Sequence, residues 1–147
     1  MAQKNIYKTA LKALDAGGMV KEPLNKEYDL IPLIRKGLLM KNLQKLAEQM
    51  SLSLKDLALI LPVSERTLRR YGALHRLSPE ITERVLKLAQ LYSRGIQVFE
   101  RKDKFLKWLN TEITVLNGKK PVEYLDTSKG IDLILEELER IEYGVYS

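Results

Sequence analysis

Two clusters of side chains carry the recognition chemistry open to this sequence. The first is Ser64-Glu65-Arg66-Thr67 with Arg69 and Arg70. Guanidinium groups set this closely on one short helix offer forked donors to phosphate oxygens or to a guanine edge, and free amides at a helix start favour an anion. Glu65 is the awkward member: its carboxylate repels phosphate unless it accepts a bond from a cytosine amino group. The second cluster closes the chain, with Arg140 and Glu142 followed by Tyr143-Gly144-Val145-Tyr146-Ser147. A helix that stops at a terminus usually frays into polar residues. One that ends in two tyrosines, a valine and a glycine either folds back on its own core or enters a pocket of another molecule. Trp108, the only tryptophan, is either a core anchor or a hot spot for a partner.

Catalytic chemistry is not legible. The sequence has no phosphate-cradling glycine loop, no metal-ligand spacing and no nucleophile beside a base. It has no cysteine, and its single histidine, His75, reads as a linker residue just past the arginine cluster. The expectation is a non-enzymatic binding protein with no cofactor and no metal. An ordinary balance of 45% hydrophobic and 30% charged residues, no membrane-spanning run and no apolar signal core point to the cytoplasm. The net charge of +6 is uneven: nine Lys/Arg face five acids in residues 1–50, eight face four in 51–98, and eight face ten in 99–147. A basic front and a mildly acidic rear imply two surfaces for two partners.

The elements that must position these clusters read as helices. Ile6, Tyr7, Ala10, Leu11 and Leu14 mark a short amphipathic helix stopped at Gly17-Gly18, and a loop spans Met19–Lys26. Pro32 fits the first turn of a helix entered at Asp29 and ended by Gly37. From Leu39 the pattern sharpens: Leu39, Leu43, Leu46, Ala47 and Met50 form one face. Ser53 and Asp56 make a capping-box-like start for a helix that turns Leu54, Leu57, Ala58 and Leu61 inward. Leu61-Pro62-Val63 then turns the chain, and Ser64 caps a helix running to about Gly72, anchored by Leu68 and Tyr71. This is helix-turn-helix spacing, with Ala58 allowing a close crossing and Val63 plugging the turn. Pro62 stands where a glycine is commoner.

Ser78 and Pro79 start a helix of about five turns striped by Ile81, Val85, Leu88, Tyr92 and Ile96, with Arg84, Lys87 and Arg94 off the stripe and solvated. The rear half opens with a helix over Asp103–Asn110 burying Phe105, Leu106 and Leu109. A turn at Asn117-Gly118 and one helical turn from Pro121 follow, with Tyr124 and Leu125 inward. The last helix, capped by Asp126 or Thr127, has its apolar stripe at Ile131, Ile134, Leu135, Leu138, Ile141 and Val145, and Glu136 is spaced to pair with Arg140. The expected fold is all-α: a helical arm over residues 1–37, a helix-turn-helix region over 38–76, a connecting helix over 77–97 and a small helical C-terminal domain over 98–147.

Several of these segments resemble the Xre/MbcA/ParS-type antitoxins, partners of RES-domain toxins. The rear match rests on Ala89–Leu91, Val98-Phe99, Lys107-Trp108-Leu109-Asn110-Thr111, Gly118–Thr127, Gly130 and Arg140–Ser147. The front match rests on Leu54–Tyr71 and Leu77-Ser78-Pro79-Glu80, so the resemblance runs from about Leu39 to the end. It implies an antitoxin with two tasks. An Xre-like helix-turn-helix would bind the promoter of its own operon, as a homodimer, through Ser64, Glu65, Arg66, Thr67, Arg69 and Arg70. A C-terminal toxin-binding domain would cap the active-site entrance of a RES toxin, an ADP-ribosyltransferase-like enzyme that consumes NAD or modifies a target with it. Trp108, Arg140, Glu142, Tyr143, Gly144, Val145, Tyr146 and Ser147 are the residues this implies for toxin contact. The competing expectation is a helix-turn-helix regulator whose rear half senses a small ligand.

Overall fold

Helical spacing of apolar residues, bounded by local caps, yields eight α-helices and no strand among the described residues, so the fold is all-α. The structure is a computed structural model that describes residues 2–19 and 27–144, the side chains of 2–7 and 27–28 excepted. Most of the expected loop Met19–Lys26, and Ile6 and Tyr7 as side chains, therefore lie outside the described residues. The chain divides into two compact units, Met1–Gln90 and Leu91–Ser147.

In the first unit, α1 (Ala2–Ala13) buries Ala10, Leu11 and Ala13 and is followed by a 3-10 turn at Gly17–Met19. A second 3-10 turn, Glu27–Leu30, leads into α2 (Ile31–Lys36). Its cap residue is Leu30 rather than Asp29, because Asp29 is taken up by that preceding turn. Pro32 sits in the first turn, and Gly37, at a φ of 95°, ends the helix as expected. α3 (Met40–Met50) buries Met40, Leu43, Leu46, Ala47 and Met50, and also Asn42. The Asn42 amide donates to the carbonyls of Leu14 (3.0 Å) and Asp15 (3.3 Å), while its oxygen accepts from the Leu39 N–H (2.8 Å). One buried side chain thus satisfies the open end of α1 and the open start of α3.

The helix-turn-helix pair is α4 (Leu54–Ile60) and α5 (Glu65–Arg70). Ser53 and Asp56 form the expected capping box on α4. Its core face is Leu57, Ile60 and, just beyond the helix, Leu61; Leu54 and Ala58 are only half-buried. α5 stops at Arg70, short of Gly72, because Tyr71 leaves the helix in an extended conformation and stacks its ring on His75 at 3.7 Å. α6 (Pro79–Phe99) opens with the Ser78 hydroxyl accepting from the Ile81 N–H (3.2 Å). Its buried face is broader than a single stripe and includes Thr82, Leu86, Ala89, Leu91 and Ser93. Arg84 and Lys87 are half-buried rather than solvated, and Arg84 donates at 3.1 Å to the carbonyl of Ile60, the last residue of α4.

The second unit takes the remainder of α6 and adds α7 (Lys102–Leu109) and α8 (Ser128–Glu142). Phe105 and Leu109 are buried and Leu106 is half-buried. Asn117 and Gly118 both turn left-handed, and an antiparallel bridge joins Ile113 to Lys119. A 3-10 turn at Pro121–Tyr124 follows, with the Tyr124 hydroxyl donating to the Leu116 carbonyl (2.9 Å). Thr127 caps α8 by accepting from the Gly130 N–H (2.9 Å). Gly130 is required there, since a Cβ would overlap the Tyr124 carbonyl. α8 buries Ile131, Ile134, Glu137 and Leu138; Leu135 and Ile141 are half-buried, and Val145 lies outside the described residues.

Candidate functional site

The arginine cluster is built by local rules. Ser64 caps α5, its hydroxyl accepting from the Thr67 N–H (3.1 Å) and donating to the Thr67 hydroxyl (2.9 Å). Leu68, 1% exposed, fastens the helix to its unit. Arg66, Arg69 and Arg70 are left on the exposed side. Glu65 pairs with Arg69, Nε to Oε2 at 2.8 Å and Nη2 to Oε2 at 2.6 Å. That i,i+4 pair was readable from spacing, and it answers the puzzle of a carboxylate among phosphate-seeking groups: its charge is offset within the helix. All six residues of the first cluster therefore lie on one short helix and its cap, with Arg66 and Arg70 as its outward cations away from the Glu65 pair.

The second cluster gathers around the end of α8. Trp108 is half-buried: its ring packs against Phe99 (centroids 5.6 Å apart) and Phe105 (6.3 Å), so it serves the core on one side. With its other side it lines an open cavity of about 450 Å³ together with Glu112, Ile113, Thr114, Val115, Glu137 and Ile141. Val115 is 56% exposed at its mouth. The cavity thus joins α7, the 3-10 turn Thr114–Leu116 and the last turns of α8.

The charged residues expected at this end have partners inside the unit. Arg140 grips the buried carboxylate of Glu137, with Glu136 farther off at 4.0 Å. Glu142 is held by Arg94 of α6 through both carboxylate oxygens, at 2.8 Å each. Arg94 is accordingly not solvated; its side chain is 14% exposed. Tyr143 follows α8 and is 72% exposed, and Gly144 turns left-handed with its N–H donating to the Ile141 carbonyl (3.1 Å). Val145, Tyr146 and Ser147 lie outside the described residues. The Tyr92 hydroxyl, in the core of the same unit, has its pKa raised by burial, which penalises the phenolate.

Arg94, Glu137, Ile113, Val115 and Ile141 were not anticipated as part of this surface. The Arg140–Glu137 spacing was visible as i,i+3, whereas Arg94 and Glu142 are 48 residues apart and no local signal joins them.

Comparison with known proteins finds a domain match in each half of the chain. Residues 29–90 match the antitoxin Xre-like helix-turn-helix domain, and residues 94–144 match the antitoxin Xre/MbcA/ParS C-terminal toxin-binding domain. Over 73 residues the chain is 29% identical to the Antitoxin Xre of Yersinia enterocolitica, a match covering 49% of this chain and 49% of that one. The match thus spans about half the length of that relative. The fold resembles a chain in the crystal structure of the M. tuberculosis MbcT–MbcA toxin–antitoxin complex, with a TM-score of 0.53 and 17% identity over 74% of this chain and 96% of that chain. With the two matched domains in tandem between residues 29 and 144, the chain belongs to the Xre/MbcA/ParS antitoxin family.

Proposed function

We propose that this chain is the antitoxin of a type II toxin–antitoxin pair and works without catalysis. Its partner is a RES-domain toxin, an NAD-consuming enzyme of ADP-ribosyltransferase-like fold. The end of α8 and the residues from Tyr143 to Ser147 close the entrance to that enzyme's active site. The mechanism is steric and electrostatic. Aromatic and acidic groups fill a site shaped for a dinucleotide, whose phosphates a toxin must meet with basic groups. The observation that carries this reading is Tyr143, a large aromatic side chain 72% exposed at the tip of α8 in a domain that matches a toxin-binding family. Trp108 and Ile141 line a shared cavity in the same unit, an apolar floor on which a partner can seat.

At the other end, α5 serves as the recognition helix on operator DNA. A homodimer sets two copies on half-sites about 34 Å apart, and the antitoxin represses its own operon. The setting for both tasks is the cytoplasm; no helix among the described residues is long and apolar enough to cross a membrane.

A second reading, a helix-turn-helix regulator that senses a small ligand, draws on the cavity of about 450 Å³, which falls within the usual range of ligand pockets. Co-expression separates the two. The antitoxin reading expects a RES-domain protein from the adjacent reading frame to halt growth alone, and to be rescued by, and purify with, this chain. A neighbour that is harmless alone, or that never co-purifies, sinks it in favour of the sensor.

A further inference from the structure

Glu142 is the last helical residue of α8, and two residues on Gly144 turns left-handed at a φ of 68°. The final turn of a helix frays readily, because its carbonyls lack the next turn's donors. A carboxylate in that turn is also electrostatically misplaced, since it sits at the negative end of the helix dipole. Arg94 offsets both effects from another helix. Its guanidinium meets Glu142 as a fork, one nitrogen donating to Oε1 at 2.8 Å and the other lying 2.8 Å from Oε2. It also donates to Gln97 one turn along α6, at 3.1 Å, which holds its own orientation. The two side chains are 14% and 32% exposed, against 63% and 66% for the Arg101–Asp103 pair. A bidentate fork in partly dry surroundings resists salt screening and fixes direction as well as distance.

We propose that Arg94 is a positioning residue for the partner-binding end of the chain. Its fork on Glu142 keeps the last turn of α8 helical and fixes the point from which Tyr143 leaves the helix. This rests on the reading of Tyr143–Ser147 as the toxin-facing segment, and it makes Glu142 an internal anchor instead of a direct contact. With the clamp closed, the toxin meets an end already held in one direction, so less chain is ordered on binding. With the clamp open, the bonds from the Tyr143 N–H to the Glu139 carbonyl and from the Gly144 N–H to the Ile141 carbonyl (3.1 Å each) lose that support.

The test uses the full chain with Arg94→Ala, with Arg94→Lys, with the exchange Arg94→Glu plus Glu142→Arg, and, as a control, a chain lacking residues 143–147. Amide hydrogen exchange reads the clamp without any toxin. Arg94→Ala should speed exchange at Glu142 and Tyr143 about tenfold and leave Ile131–Leu138 unchanged, Arg94→Lys should fall between, and the charge exchange should restore protection. Affinity for the purified RES-domain protein of the adjacent reading frame should drop about tenfold in Arg94→Ala and return in the exchanged pair. Unchanged exchange at the last turn in Arg94→Ala overturns the proposal. So does an exchanged pair that restores the helix end but not the affinity, since Glu142 would then touch the toxin itself. If Arg94→Ala binds normally while the truncated chain fails, the clamp falls and the tail reading stands; if the truncated chain also binds normally, the tail reading falls as well.

Discussion

The Phe105 ring occupies the space where a side chain on Gly95 would begin. A Cβ there would overlap the ring, so the C-terminal turns of α6 and the buried face of α7 meet at a glycine. From Phe105 the aromatic set extends to Tyr92 (6.2 Å), Phe99 (6.2 Å) and Trp108 (6.3 Å). The packing on the inward side of Trp108 is therefore set by how closely α7 approaches α6.

Gly95→Ala should raise helix propensity by about 1 kcal/mol and still destabilise the second unit, because forcing one methyl into a filled space costs about 1–3 kcal/mol and moves the ring. Urea unfolding with the intrinsic fluorescence of Trp108 reads both the stability and the ring's surroundings. A variant more stable than the parent would mean that the packing there relaxes freely.

On the first unit, replacing Arg66 and Arg69 together with alanine should weaken operator binding and flatten its dependence on salt, by about one unit of log–log slope for each phosphate no longer neutralised. Arg69 is the more informative of the two, since its Glu65 partner is left behind as an unpaired carboxylate facing phosphate. Filter binding or fluorescence anisotropy across a salt series measures the slope. Binding and slope both unchanged would place the recognition surface on another face of the unit.

Alkali should loosen the second unit through Tyr92. Burial raises its pKa above the ordinary 10.0, so the folded state holds the phenol proton more tightly than the unfolded chain. The resulting stability is fully present below the unfolded value and is lost as pH climbs through the folded one. Thermal unfolding of the parent should therefore fall more steeply above pH 10.0 than that of Tyr92→Phe. Parallel curves would show that this hydroxyl titrates alike in both states.

Much of this was legible in the sequence because it is written locally. The Ser53–Asp56 capping box, the Ser64 cap, Gly37 ending α2 and the apolar stripe of α8 each depend on residues within a turn or two of one another. The resemblance supplied the family, which spacing alone left open. What stayed hidden is nonlocal. Asn42 reads as a polar residue on a helix and proves to join α1 to α3 across 28 residues. Arg94 reads as a solvated charge, yet its partner lies 48 residues away. Gly95 reads as a weakness in α6 until the Phe105 ring is placed beside it.

The most direct measurement is growth rescue by a chain lacking residues 143–147. The truncated protein should keep its helical content and its operator affinity, because α5 lies in the other compact unit, and should lose protection against the RES-domain toxin. Full protection by the truncated chain would contradict the central claim that this end of the molecule closes the toxin's active site.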